Sequence, residues 1–313
     1  MDKVRAMEVF LQVAESGGVR RAAGALRLSP AMVSTYLTHT EKFLGVPLLQ
    51  RAAGGLVLTG EGQAYLDHCR RVLDDIAETE ALLGGGVSAA RGRLRIDMPT
   101  TIANCLVIPL LPAFVARFPD ITLDLSFSPR AFDPTDDGFD LAIRLGPVAD
   151  IDLIARPLGR SLAATVAAPG YLDGWGEPRS IEALNGHSII NVVSSRTGRI
   201  VPWLFNRDGQ EITQAIPSKL LFSEGEPRIQ AALHGLGLVQ APAFQVAGLI
   251  AEGRLRPVLT EFQTTIPPIL LLYSTRRKSQ PKLRAFVDFL LDAYPPDRDI
   301  LVGGKGPRPA HPG

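Results

Sequence analysis

Few of the side chains able to do covalent or metal chemistry stand at a useful spacing. The five histidines, His39, His68, His187, His234 and His311, show no metal-ligand pattern. No Gly-x-Ser-x-Gly elbow, Walker loop or Gly-x-Gly-x-x-Gly fingerprint occurs. Asp74-Asp75 and Asp136-Asp137 read as solvated faces rather than acid–base pairs, and His234 as a residue placed against a helix C-terminus. Cys69 and Cys105 are isolated thiols, most simply buried small side chains, with a redox role as the alternative. The chemistry points to no catalytic residues, no metal and no cofactor. One cluster does carry a usable pattern: Ser34, Thr35, Tyr36, Thr38 and His39 bring short polar groups and an aromatic to the outside of one helix. That is how a recognition helix meets base edges in a DNA major groove.

The elements that would hold this cluster come in order along the chain. Residues 20–26 form a short helix, with Ala22, Ala23 and Ala25 small enough for close approach by a second. Arg27-Leu28 turn the chain, Ser29 caps the next helix, and Pro30 fits its first position, where a missing N–H costs nothing. Val33, Leu37 and Leu44 recur at helical spacing and are expected to face inward. Gly45 ends the helix, Pro47 prevents its continuation, and Leu48-Leu49 give the next segment an apolar anchor. Ala53-Gly54-Gly55 make a hairpin tip, with Leu56 and Leu58 alternating along a strand. The pattern predicts a winged helix-turn-helix, with a plain structural corner as the alternative.

On these residues the chain resembles the LysR-type transcriptional regulators. The resemblance is carried by Ala22-Ala23, Leu26, Leu28-Ser29-Pro30, Val33-Ser34, Glu41, Leu44-Gly45, Leu48-Leu49, Arg51, Leu56-x-Leu58-Thr59 and Gly62, without a gap. It implies double-stranded DNA as a partner, read by Ser34, Thr35, Tyr36 and His39 on a pseudo-palindromic operator. Ser29 and Ala31 at the head of that helix belong to the same surface, and Arg21 and Arg51 would position phosphates. The chain departs from the family at Thr35 and Tyr36, where Arg or Gln is usual, at Thr40 in place of Leu, and in the Ala52-Ala53-Gly54-Gly55 wing. Lys3, Arg5, Arg20, Arg21, Arg27, Lys42 and Arg51 against Asp2, Glu8, Glu15 and Glu41 leave the first 59 residues at only +3. Modest affinity per head and a shallow salt slope are the consequence, so specificity requires more than one copy.

The whole chain, 313 residues at a formal net charge of +1 and 46% hydrophobic, allows two packed domains and advertises neither nucleic acid nor membrane by charge alone. Its start, MDKVRAMEVFLQVAE, reads as an amphipathic helix rather than a signal peptide. No apolar run is expected to approach the roughly 18 residues that span a bilayer, which points to the cytoplasm. Gly60–Leu83 reads as one long helix, with Leu66, Cys69, Leu73, Ile76 and Leu83 as a heptad-like seam and Arg70, Arg71, Asp74, Asp75 and Glu78 exposed. The seam packs either on its own domain or on a second copy. The resemblance implies the second: a dimer, and a tetramer if the other domain also associates. The expected divisions are a DNA-binding domain at 1–59, a linker helix and Gly-rich hinge at 60–91, an effector-binding domain at 92–294 and a disordered Pro/Gly-rich tail at 295–313.

From Gly92 strands and helices alternate, which argues for an open α/β sheet arrangement. Strands are expected at 94–96, Ile121–Phe127, Leu141–Leu145, 236–239 and 269–273. Helices are expected at 102–118, 227–234, Ala243–Ala251 and 280–293. Asp140-Leu-Ala-Ile-Arg144, Gly235-Leu-Gly-Leu238 and Pro281-Lys-Leu-Arg-Ala-Phe286 extend the resemblance to about residue 292. It implies two lobes of the periplasmic-binding-protein type, crossed near residues 163 and 266, with a small-molecule effector between them. Thr100 and Thr101, opening the first helix, are natural partners for a carboxylate, although Thr100 as a mere N-cap explains it equally. Ser126, Ser128, Ser194, Ser195, Phe222 and Ser223 are further candidates. Arg144 would suit an anionic effector or a salt bridge, while Pro129, Arg130, Phe132 and Trp203 would shape the cleft. A transport binding protein would need an export signal and an enzyme a catalytic constellation. A regulator acting mainly through a protein partner is the remaining rival.

Overall fold

The computed structural model describes residues 2–52, 55–83, 90–128, 138–146, 153–194 and 197–296. The expectations for the wing tip Ala53-Gly54, the hinge from Gly84, Pro129, Arg130, Phe132, Asp136-Asp137, Ser195 and the tail from residue 297 lie outside these. Two compact units separate at Ala89 and Ala90.

In the first unit, α1 (Lys3–Ser16), α2 (Val19–Leu26) and α3 (Pro30–Leu44) precede a hairpin of β1 (Leu49–Ala52) and β2 (Gly55–Leu58), then α4 (Gly60–Leu83). Their shared core is Val9, Phe10, Val13, Ala22, Ala23, Val33, Leu37 and Leu48. The α2–α3 turn works through Arg27, whose φ of 54° puts it in the left-handed region and sends its N–H back to the Ala23 and Gly24 carbonyls. Leu44 was expected inside but is 38% exposed, because α3 reaches its glycine C-cap before that position meets another element. Thr40 occupies the inward position instead, its hydroxyl satisfied by the Tyr36 carbonyl at 2.8 Å. The seam of α4 divides. Leu66 and Cys69 are buried in this unit's own core, whereas Leu73 and Ile76 stay half-exposed. Arg70 is not on an exposed face either. It reaches Glu15 of α1 at 3.1 Å and Asp67 at 3.7 Å.

The second unit opens with β3 (Gly92–Met98), α5 (Thr100–Ile102), α6 (Leu111–Arg117), β4 (Ile121–Phe127), β5 (Leu141–Leu145) and β6 (Leu153–Pro157). The expected single helix at 102–118 is broken into α5, a π-turn at Ala103–Val107, a 3₁₀ turn at Ile108–Leu110 and α6. Pro109 and Pro112 have no N–H to give to a preceding turn, which forbids a regular ladder there. The same stretch corrects the expectation that no apolar run reaches spanning length. Thr100–Arg117 has mean hydropathy 1.5 and by length and composition is apolar enough to cross a membrane. Here Ile102, Ala103, Leu106, Val107 and Phe114 are instead buried against the sheet.

The chain crosses at about residue 160 into β7 (Ala163–Ala167), α7 (Pro169–Trp175), β8 (Ile190–Val192), β9 (Trp203–Arg207), β10 (Gln210–Gln214) and β11 (Leu220–Phe222). It continues through α8 (Gly225–Leu233), β12 (Val239–Pro242), α9 (Ala243–Ala251) and β13 (Arg256–Val258). It then returns to the first lobe as β14 (Ile269–Ser274) and α10 (Pro281–Ala293). The first lobe is a five-stranded sheet of order β4-β3-β5-β14-β6, with β14 antiparallel to both neighbours. Phe114 meets Phe286 and Phe289 edge-on at 5.0 and 5.3 Å, fastening α10 to α6. The second lobe is built on β12-β7-β13 with a parallel β8/β11 pair beside it. The two crossings pair with each other through a bridge between Leu162 and Thr265 and bonds Ala163 N–H to Thr264 O and Ile266 N–H to Ser161 O. The strand expected at 236–239 begins later, at Val239. Gly237, at φ 152°, passes against the Ser188 carbonyl and leaves Leu236 on the surface.

One glycine in the first unit holds the wing to α4. A Cβ on Gly62 would lie 1.9 Å from the Leu48 carbonyl oxygen, which itself accepts the Thr59 N–H. Gly62→Ala is therefore expected to cost about 1–3 kcal/mol or more, read as a lower urea midpoint of the full chain.

Candidate nucleic-acid interface and ligand cleft

The polar cluster of α3 stands as its spacing predicts. Ser29 caps the helix, its Oγ accepting the Met32 N–H at 3.2 Å, and Pro30 occupies the first turn. Ala31, Ser34, Thr35, Thr38 and His39 are exposed, as are Ser29, Arg21 and Arg51. Tyr36 differs: it is half-buried and packs on the core of this unit, so only part of its ring is offered outward. Thr35 donates its hydroxyl proton to the Ala31 carbonyl at 2.9 Å and keeps only acceptor capacity. Arg21 folds back toward the Gly17 carbonyl at 3.4 Å.

Sequence reasoning saw Glu41 only as part of a pattern. Its Oε1 accepts the N–H groups of Leu48 and Leu49, at 2.8 and 3.1 Å, tying α3 to the first strand of the wing. Thr59 ties the second strand in the same way. Its hydroxyl donates to the Pro47 carbonyl at 2.8 Å and accepts the Gly62 N–H at 2.9 Å. The Cys69 thiol, buried in the core of this unit, is pushed up to about 11, chiefly by burial, which keeps it protonated at neutral pH.

In the second unit, candidate residues gather at strand ends. Thr100 and Thr101 follow β3, and the Ser128 N–H bonds to the Met98 carbonyl at 3.2 Å beside them. Pro99, not Thr100, is the N-cap of α5, so the capping explanation of Thr100 falls away. Ser126 lies one residue pair deeper, in register with Asp97. In the second lobe the Val193 N–H bonds to the Phe222 carbonyl at 2.7 Å, which places Ser194 and Phe222 at the end of the β8/β11 pair. Ser194 is engaged in its own turn, its Oγ accepting the Thr197 N–H at 3.3 Å, and Phe222 packs partly on the lobe's core. Ser223 is exposed next to it.

Arg144 takes the salt-bridge alternative, and the expectation for Trp203 is corrected. Arg144 is bound to Asp97, by a carboxylate ion pair and by a 3.0 Å bond to the Asp97 carbonyl, and holds β5 to β3. Trp203 is buried in the second lobe, its indole N–H donating to Asn191 Oδ1 at 2.8 Å, and does not shape the cleft. Cys105, between α5 and α6, has its thiol pushed up to about 11 by burial first and by Glu226 second. Among the described residues no cluster of His, Cys, Asp and Glu is fit to hold a metal.

A helix-turn-helix head followed along the chain by a two-lobed α/β unit defines a transcription regulator that carries its own small-molecule receptor. Residues 4–63 match the bacterial regulatory helix-turn-helix model of the lysR family and residues 88–295 the LysR substrate binding domain. The chain belongs to the LysR family of transcriptional regulators and is not an enzyme. It is 35% identical over 302 residues to an HTH-type transcriptional repressor of Pseudomonas aeruginosa, covering 96% of this chain and 95% of that one. It is 33% identical over 288 residues to the regulator CrgA of Neisseria meningitidis, covering 91% and 95%. The solved CrgA structure aligns with a TM-score of 0.60 over 92% of this chain and 97% of its own. Full-length AphB, a virulence activator of Vibrio cholerae, aligns at 0.57 with 25% identity, over 92% and 98%.

Glu41→Ala leaves two partly buried N–H groups without their acceptor. It is expected to lower stability by about 1–3 kcal/mol in urea unfolding and to weaken DNA binding, with Glu41→Gln, which keeps an acceptor oxygen, losing less of both.

Proposed function

We propose that the protein works in the cytoplasm as a dimer or tetramer on a pseudo-palindromic operator. Ser34, Thr35, Tyr36 and His39 read base edges, with Ser29 and Ala31 at the same contact and Arg21 and Arg51 on phosphates. The observation that carries this reading is the exposed polar face of α3, presented by a helix capped at Ser29 and pinned by Glu41. The half-exposed Leu73 and Ile76 of α4 are apolar groups without a full set of neighbours in one copy, which suits pairing with a second α4. Two heads so joined would meet half-sites about one helical turn, or a multiple of it, apart.

The second unit takes a small effector between its lobes, at the strand ends that carry Thr100, Thr101, Ser126 and Ser128, with Ser194 and Phe222 opposite. A carboxylate suits the two threonine hydroxyls. Arg144, already neutralised by Asp97, is left out of this set. Binding shifts operator occupancy only as far as the effector distinguishes two arrangements of the protein.

Genome-wide capture of occupied DNA followed by footprinting tests the reading. Paired protected half-sites beside a promoter are the expected result; a folded protein without any specific site would overturn it. On that operator, Tyr36→Ala and His39→Ala are expected to lose sequence discrimination. Arg51→Ala should weaken all sequences alike and reduce the salt slope by about one. A Tyr36→Ala protein with undiminished discrimination would remove that residue from the reading surface.

A further inference from the structure

Arg228 is a buried charge without a counter-charge among the described residues. It lies on α8, retains 8% of its accessible surface, and donates a hydrogen bond from Nη1 to the Gln240 carbonyl at 2.7 Å. Its Nε is sealed from solvent with no partner, and no carboxylate of the described residues pairs with it. Burial brings its guanidinium down to about 10, still charged at neutral pH. Two other arginines of this unit that meet buried acids, Arg144 with Asp97 and Arg277 with Asp140, have their counter-charges in place. A largely buried guanidinium that meets only a carbonyl and no carboxylate is unfavourable unless something else supplies the anion.

Two further features meet on the same helix. The first residue of α8, Gly225, is where the lobes touch: a Cβ there would sit 2.9 Å from Thr101 Oγ1, across the cleft. The same position lies 3.6 and 3.8 Å from Gln245 Nε2 and Oε1 on α9. Both of those amide atoms are sealed from solvent and have no hydrogen-bond partner among the described residues. The N-cap of α8, Glu224, makes no side-chain bond to the helix, so its first N–H groups have no side-chain acceptor from the cap. Glu226 in the first turn acts on Cys105 of the first lobe and forms no ion pair with Arg228. The start of α8, the unpartnered amide of Gln245 on α9 and the unpartnered Nε of Arg228 on α8 are thus hydrogen-bonding groups left unmatched on two neighbouring elements.

We propose that the second lobe holds the effector's anionic group, a carboxylate, at the N-terminal end of α8, with Arg228 supplying the charge and Gln245 the orienting amide. The inference rests on the reading that the effector lies between the lobes. It adds that specificity for an anion resides in α8 and α9, with Thr101 closing on the ligand from the other side.

Thermal unfolding of the full chain tests it, with sodium acetate and disodium succinate as probes against sodium chloride at equal ionic strength. The wild type is expected to show a saturable rise in Tm with at least one carboxylate. Arg228→Met and Gln245→Leu are expected to raise the half-saturating concentration at least tenfold, and Arg228→Lys, which keeps charge without the fork, to fall between. A carboxylate response intact in both Arg228→Met and Gln245→Leu but lost in Thr101→Val would overturn the proposal and leave the cleft reading standing. A response intact in all three would overturn both. A wild type that responds to neither carboxylate overturns the anion site, and saturation by sodium sulfate alone would overturn its assignment to a carboxylate.

Discussion

The sensor unit depends on two short segments lying side by side. Residues 158–163 carry the chain out of the five-stranded sheet and residues 264–269 carry it back. They are bonded to each other through Leu162 and Thr265, Ala163 and Thr264, and Ile266 and Ser161. Because the crossings are paired, one lobe cannot translate freely over the other; bending about that pair is the motion left to it. Everything proposed for the cleft rests on this constraint, since a ligand seated between Thr101 and α8 acts at a distance from the pair it must bend.

Charge placement inside the unit obeys a consistent logic. Asp97 and Asp140 are buried, and each is met by an arginine, Arg144 or Arg277. Asp140 also accepts the Arg95 N–H at 2.9 Å. These pairs tie neighbouring strands, and the turn at Thr275–Arg277 after β14, into one sheet. Their cost of desolvation is offset within the fold. Arg228 is the exception: among the described residues it meets the Gln240 carbonyl and no carboxylate, and the proposed anion would be its counter-charge.

The head was more legible in the sequence than the sensor. Caps, turns and the exposed side of a helix are local signals, so Ser29, Pro30, Gly45 and the polar face of α3 could be read from spacing alone. Leu44 misled because periodicity states which side of a helix is apolar, not how far the neighbouring elements extend. In the sensor, β4, β5 and α9 showed themselves by composition, but the helix after β3 did not. Its prolines announced an interruption without saying that a π-turn and a 3₁₀ turn would absorb it. Arg144 and Arg228 show the limit more sharply. Both are arginines in apolar surroundings, and only the position of Asp97, 47 residues earlier in the chain, separates a structural ion pair from an unmatched charge. Gln245 and Gly225 gave no sequence signal at all, because what marks them is an unmade bond and an absent side chain.

Glu41 has a wider implication for how such a regulator can signal. By gripping the backbone of Leu48 and Leu49 from α3, it ties helix and wing into a single stylus. On the proposed reading, a stylus of that kind keeps the letters it reads fixed. On the proposed function, with the surface of α3 reading DNA in more than one copy, a metabolite's message would be written as spacing and angle between copies, the grammar rather than the alphabet.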